Sequence, residues 1–228
     1  MSTFGLQGIT EPDIANYLVH TPGFFERQAE VLATVQLTSP HGQRAVSLQE
    51  RQMEMLRDRI KGLEFKIVEM IRNGQENVAI ADRLHRWTRA LMLTANPSDL
   101  PEVLVRELKH QFLIPQAAVR AWGAADAFSR LAFTQGASDD TKSLATSLTA
   151  PYCGPNSGFE AAGWLEDARS VASLALVPLR RDAAAPAFGL LVLGSPDPTR
   201  YTLDMGTEFL SRIGEIAGAG LARLLPVE

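Results

Sequence analysis

A long amphipathic stripe constrains the fold of this chain more than any other feature of its sequence. It begins with a capping box, Ser47 to Glu50, whose serine and glutamate can each satisfy a free N–H of a first helical turn. Apolar residues then recur at alternating steps of three and four, the spacing of the a and d positions of a coiled coil. This stripe, called the seam below, consists of Met53, Leu56, Ile60, Leu63, Ile67 and Met70. The pattern predicts one helix over residues 47–95.

The faces beside the seam favour self-association of this helix. They are densely charged, and Asp82 and Arg86 stand one turn apart with opposite charges. A helix that lies on a domain of its own chain usually shows a wider apolar face, although that alternative stays open. Gly74 falls on the continuation of the seam, and a glycine inside a helix costs about 1 kcal/mol relative to alanine, so a bend is expected there. We expect a homodimer, in which the sequence leaves the helix orientation open.

Short helices are predicted before the seam, within residues 1–46. Thr10, Pro12 and Asp13 form a second capping box, and Ile14 and Tyr17 follow at helical spacing. These helices are too small to bury their own apolar faces, so we expect them to dock on another part of the protein.

The pattern changes after Pro97, where we place a domain boundary at residue 96. Hairpin-like pairs of strands without regular β-α-β alternation indicate an antiparallel sheet with helices packed on it, which is an α+β domain over residues 96–228. A turn-rich loop is predicted from Pro151 to Gly158. The predicted strands are 117–122, 128–134, 171–179 and 188–194, and the predicted helices begin at Asp99, Asp139 and Thr202.

Composition excludes several classes of protein. The net charge of −4 offers no basic excess for nucleic acid or acidic membranes, so neither is expected as a partner. The single cysteine, Cys153, excludes an internal disulfide and a cysteine-rich zinc site. No apolar run is long enough to span a membrane, and residues 1–10 lack the features of an export signal. A soluble cytoplasmic protein is therefore expected.

Several short motifs carry a resemblance to a known family. The segment from Phe188 to Ser195, followed by Tyr201, is similar to the last strand and helix of GAF-type domains. The whole chain resembles the bacterial domain-of-unknown-function family 484, which pairs a helical N-terminal part with a GAF-like domain and has no established biochemical function. The matching pieces include Tyr17-Leu18, Pro22-Gly23-Phe24-Phe25, Val46 to Gln52, Leu63-Glu64, Pro151-Tyr152-Cys153-Gly154 and Ser195-Pro196-Asp197.

The resemblance implies a pocket between the sheet and the helix and loop in the middle of the domain. Its candidate lining residues are Trp122, Phe133, Tyr152, Cys153, Trp164 and Leu176. Each of them can equally be a plain core residue. Arg120 and Arg130, on predicted strands, could meet an anionic ligand or remain solvated. Cys153 is either a redox-sensing or pocket-lining thiol or a small buried residue, and no Lys, Arg or His lies within five residues to lower its pKa.

No catalytic constellation is found, and neither an enzyme activity nor a cofactor is predicted. The four histidines are scattered without metal-ligand spacing. GAF-type bilin attachment usually places a histidine beside the cysteine, whereas Gly154 follows Cys153 here. The sulfoxide-reducing GAF enzymes need a second thiol to resolve a sulfenic acid. Two functions stay open: a regulatory signalling module that binds a small molecule and acts on a partner protein, or a ligand-free interaction scaffold.

Overall fold

The computed structural model describes residues 8–34 and 48–226. The chain divides into two compact units, Met1–Glu64 and Phe65–Glu228. The predicted cap at Ser47 lies outside the described residues.

Before the long helix, the described part of the first unit, residues 8–34, contains three short helices, α1 (Glu11–His20), α2 (Phe24–Arg27) and α3 (Ala29–Thr34). The capping box predicted before α1 is confirmed, because the Thr10 N–H donates to the Asp13 carboxylate at 2.9 Å. Hydrogen bonds from Thr10 also hold the pKa of Asp13 below its usual value. Tyr17 and Phe24 meet edge to face, with ring centroids 5.9 Å apart, so an aromatic contact joins α1 to α2.

The predicted long helix is confirmed as α4 (Leu48–Leu93), which is continuous through Gly74. Its last turns join the core of the second unit. Trp87 is fully buried, and Leu91 lies in the same hydrophobic cluster. The apolar side chains of α4 therefore change their surroundings along the helix, from exposed at the seam to buried at Trp87 and Leu91.

The second unit is built on a four-stranded antiparallel sheet with the order β1-β4-β3-β2. Three helices accompany the sheet, which confirms the predicted α+β class. The strands are β1 (Gln116–Ala121), β2 (Tyr152–Pro155), β3 (Ser173–Leu179) and β4 (Gly189–Ser195), and the helices are α5 (Leu100–Phe112), α6 (Asp139–Ser147) and α7 (Glu208–Leu221).

Both faces of the sheet are covered, which explains why β3 and β4 are almost continuously apolar. Alternate residues of β3 point to opposite faces. Val177 and Leu179 lie in a first core with α5, α7 and the end of α4, whereas Leu174 and Leu176 lie in a second core with α6. The central strands thus tie two hydrophobic cores together.

Two predicted elements differ from the structure. Residues 128–134, predicted as a strand, form successive turns, in which the N–H of Leu131 donates to Phe128 O and that of Thr134 to Leu131 O. The Thr134 hydroxyl adds a bond to Leu131 O at 2.8 Å, so local bonds replace a strand ladder. Conversely, part of the predicted loop forms β2, an edge strand, where prolines are tolerated because half of the N–H groups need no ladder partner.

The last helix also begins later than predicted. Thr202, the predicted cap, lies in a turn in which its carbonyl oxygen accepts from the Met205 N–H at 3.1 Å. α7 begins at Glu208, and its buried apolar face begins at Leu210.

Candidate functional site

A groove of about 900 Å³ lies between α5 and the free edge of β1. Its volume falls within the range of roughly 300–1,000 Å³ that is typical of small-molecule sites. We call it the α5–β1 groove. It is lined by Ser98, Pro101, Glu102, Val105, Arg106, Lys109, His110, Ile114, Ala117, Ala118, Val119, Arg120, Leu131, Ala132, Phe133, Trp164 and Glu166.

The groove follows the edge of the sheet and reaches both of its faces. Four consecutive residues of β1, from Ala117 to Arg120, contribute to the lining. Because neighbouring residues of a strand point to opposite faces, a groove over one face could touch only every second residue. Val119 belongs to the first core, whereas Ala118 packs against the second. The groove therefore combines apolar side chains from several elements, such as Val105, Ile114 and Val119, with charged residues of α5 and with Arg120.

Arg120 is the only charged residue of β1 and is partly buried. Its Nη1 donates to the carbonyl oxygen of Ala132 at 2.6 Å. Its guanidinium carbon lies 5.9 Å from the ring centroid of Trp164, a cation–π distance. The indole N–H of Trp164 in turn donates to Gly136 O at 3.0 Å. These contacts hold the guanidinium in the lining of the groove.

The other cations of the groove have carboxylate partners. Lys109 Nζ lies 3.1 Å from Glu166, and Arg106 lies 3.3 Å from Glu107. Within residues 8–34 and 48–226, no carboxylate lies within ion-pair distance of Arg120. The unbalanced positive charge of the groove is therefore concentrated on one side chain.

Two of the six predicted pocket residues, Phe133 and Trp164, line the groove. Three others pack against or within the second core: Leu176 is fully buried there, while Trp122 and Tyr152 are partly buried against it. The Trp122 indole donates to Ala187 O at 2.8 Å. These three side chains pack with the second core in the region where the resemblance places a pocket. That these residues contact a ligand stays a prediction.

Cys153 lies in the first core on β2, opposite Ala175, and does not line the groove. Burial raises the pKa of its thiol, because the thiolate would lose its hydration. A thiol with a raised pKa is a poor nucleophile at neutral pH. The structure therefore favours the interpretation of Cys153 as a small buried residue.

Sequence reasoning missed the α5 wall of the groove. Pro101, Val105 and Lys109 share one side of α5 at helical spacing, a pattern that also describes an ordinary surface helix. Arg120 is the signal that the sequence does offer, since it is a lone charge in an apolar strand.

In the described ranges, no three His, Cys, Asp or Glu side chains gather as a metal site would require. Among the same residues, no helix combines the length and apolar character needed to cross a bilayer.

Comparison with known proteins places the chain in a family. The sequence profile described as "Protein of unknown function, DUF484" matches residues 4–225. The chain belongs to the DUF484 family. The resemblance inferred from the sequence motifs is thereby confirmed. This DUF484 chain is also 27% identical to the uncharacterized protein YigA of Salmonella typhimurium over 217 residues, covering 90% of this chain and 89% of the relative.

Solved structures of GAF domains align with a little under two thirds of this DUF484 chain at low identity. The phycoerythrobilin-bound GAF domain from a cyanobacterial phytochrome aligns with a TM-score of 0.44 at 12% identity, covering 64% of this chain and 96% of that one. The free methionine-R-sulfoxide reductase from Neisseria meningitidis, in complex with its substrate, aligns with a TM-score of 0.41 at 12% identity, covering 62% and 87%. The bilin and the sulfoxide substrate belong to those proteins.

Proposed function

We propose that this DUF484 chain is a non-enzymatic regulatory module that dimerises through α4 and binds a small molecule in the α5–β1 groove. One observation carries the proposal: α5 contacts both the groove and the long helix. One side of α5 lines the groove through Val105 and Lys109. Its Leu104 carbonyl oxygen accepts the indole N–H of Trp87, on α4, at 3.1 Å. A change in the groove that moves α5 would therefore act directly on the helix that carries the seam.

Exposure of the seam supports dimerisation. Its six residues are each 51–71% exposed, so the described part of the chain leaves the stripe largely in contact with water. Burying one Leu or Ile side chain contributes about 1.5–3 kcal/mol, and a second copy of the same stripe can supply that burial. The regulatory step would be a population shift, in which an occupied groove favours one of two arrangements of the paired helices.

The mass of the protein in solution tests the dimer. We expect light scattering at micromolar concentration to give twice the 24.9 kDa chain mass for the wild type. Leu63→Lys places a charge in the seam of both copies and should give the monomer mass, with an unchanged circular dichroism spectrum. Phe65→Lys is the matched control, because Phe65 lies on the same helix, is 73% exposed and is not part of the seam. A monomeric wild type, or equal dissociation by both variants, would contradict the proposal.

The packing of predicted pocket residues in the second core favours a second candidate function, a ligand-free interaction scaffold. Leu176 and the side chains packed around it occupy the place where the resemblance expects a pocket. Native mass spectrometry of the purified protein discriminates the two functions. A small molecule that remains bound to the folded chain supports the regulatory module, whereas a bare chain that still forms the dimer and captures a partner protein supports the scaffold.

A further inference from the structure

We infer that the α5–β1 groove selects an amphipathic organic anion, a molecule with one acidic group that meets Arg120 and an apolar body that lies against the uncharged lining at Val105, Ile114 and Val119. This inference rests on the proposed function, which requires only that the groove binds a small molecule, and adds the charge and shape of that molecule.

Arg120 supplies the charge argument. A guanidinium stays protonated in proteins and carries five N–H donors. In the structure, Nη1 has Ala132 O as its acceptor, while Nε is buried and has no hydrogen-bond partner among the described residues. A partly buried cation without a carboxylate partner is costly, and an anion brought into the groove would relieve that cost. The planar fork of donors matches a carboxylate, sulfonate or phosphate group.

The site is organised before any ligand arrives. The Ala132 carbonyl oxygen and the ring of Trp164 hold the guanidinium, and Gly136 O holds the indole. Because the cation is already ordered, binding an anion costs little additional side-chain entropy.

The number of cationic side chains without a carboxylate partner limits the ligand to one acidic group. Lys109 and Arg106 already contact Glu166 and Glu107, so an incoming anion would compete with those carboxylates for them. A ligand with several phosphates would find a single unpaired cation in the described lining of the groove and would face the carboxylates of Glu102 and Glu166. A singly charged head group fits this arrangement better.

The remaining lining supplies the apolar argument. Ile114 and Val119 are buried, and Val105 and Phe133 are partly buried, so they form a wall beside Arg120 without a charge of their own. An apolar body placed against this wall removes surface from water on both sides. Charge recognition at one end and apolar contact along the rest together describe an amphipathic anion.

Two fluorescent probes test the inference on the full-length protein: 1-anilinonaphthalene-8-sulfonate, an aromatic anion, and N-phenyl-1-naphthylamine, its uncharged analogue. Ala132 is exposed and lines the groove, so Ala132→Trp should block it and abolish binding of both probes. Arg120→Gln should weaken binding of the anionic probe about tenfold or more, since it removes a hydrogen-bonded charge. Binding of the neutral probe should stay unchanged. Arg130→Gln, the matched loss of one arginine that does not line the groove, should alter neither affinity.

The outcomes separate this inference from the proposed function. If the anionic probe binds Arg120→Gln as tightly as the wild type while Ala132→Trp still blocks both probes, the groove binds small molecules but the anion selectivity is wrong. If neither probe binds the wild type, or Ala132→Trp leaves both affinities unchanged, the groove is not a ligand site and the ligand part of the proposed function fails with it. Should Arg120→Gln lower the thermal midpoint, Arg120→Lys keeps the charge and should restore most of the affinity for the anionic probe.

Discussion

Replacing Trp87 with alanine should destabilise the unit that contains the sheet by about 3–5 kcal/mol. Trp87 has 0% exposure and lies in the first hydrophobic core together with residues of α5 and α7. Its indole N–H also has a buried acceptor, the carbonyl oxygen of Leu104. The side chain therefore acts as the anchor of the long helix in that core.

The magnitude follows from the area that the indole buries. A buried aromatic side chain removes about 150–250 Å² from water, which at about 25 cal/mol per Å² corresponds to roughly 4–6 kcal/mol. Alanine keeps the Cβ and the core can partly relax around the cavity, which lowers the expected loss to the range above. The hydrogen bond to Leu104 contributes about 1 kcal/mol of the total. Trp87→Phe, which keeps most of the ring, should consequently cost less than Trp87→Ala.

Urea unfolding of the full-length chain, followed by near-UV circular dichroism, measures this loss. Val78→Ala is the matched control, because Val78 lies on the same helix and is 63% exposed, and such surface changes stay within about 0.5 kcal/mol. If Trp87→Ala and Val78→Ala unfold at the same urea concentration, the end of α4 is not part of the core.

The same reasoning applies to the predicted domain boundary at residue 96. A fragment of residues 96–228 lacks Trp87, so it should fold with lower stability than a fragment of residues 79–228.

Three further predictions concern single positions in the same unit. The Cys153 thiol should react with a thiol reagent at pH 7 far more slowly in the folded than in the urea-unfolded chain, because burial raises its pKa; equal rates would revive the redox interpretation. Glu160→Gln should lower the thermal midpoint at pH 7, and the gap to the wild type should close on acidification. Hydrogen bonds from Ser138 lower the pKa of Glu160, so its contribution exists above the unfolded-state pKa and disappears as the pH falls through the folded-state value. Gly218→Ala should be strongly destabilising, since its Cβ would collide with a backbone carbonyl oxygen, whereas Gly220→Ala meets open space and should be tolerated in a thermal melt.

Most regular elements can be predicted because their signals are local. The three-and-four spacing around Leu63 is set by the helical repeat itself, so the sequence predicts α4 almost to its ends. The apolar runs of β3 and β4 are bounded by turns and carry their own signal. Residues 128–134 have a strand-like composition, but they form local hydrogen bonds, including those from the Thr134 hydroxyl, instead of pairing with a strand. Strand propensity depends on the three-dimensional surroundings, so the sequence alone does not show which of the two conformations forms.

The candidate site is harder to predict because it is formed by elements that are distant in sequence. Arg120 can be recognised as unusual, and Phe133 and Trp164 as pocket candidates, without any indication of what would face them. The opposite wall comes from α5, whose groove-lining residue Val105 looks like part of an ordinary amphipathic helix. Sequence spacing does not reveal that Lys109 pairs with Glu166, which lies 57 residues away. Nor does it reveal that Arg120 has no carboxylate partner in the described ranges.

The position of α5 determines how a ligand could influence the long helix. Ligands shift an equilibrium only by contacts that differ between two states. The proposed function therefore requires that the groove walls differ between the two proposed arrangements of the helices. Strand β1 is held by β4 along its whole length and is a poor candidate for such movement. In contrast, α5 packs on the sheet through apolar side chains such as Leu108 and receives Trp87 from α4 at Leu104. A small shift of α5 would alter both the groove wall at Val105 and the contact of Trp87 with Leu104. If α4 pairs as we propose, ligand affinity in the groove and the arrangement of the paired helices would be coupled in both directions.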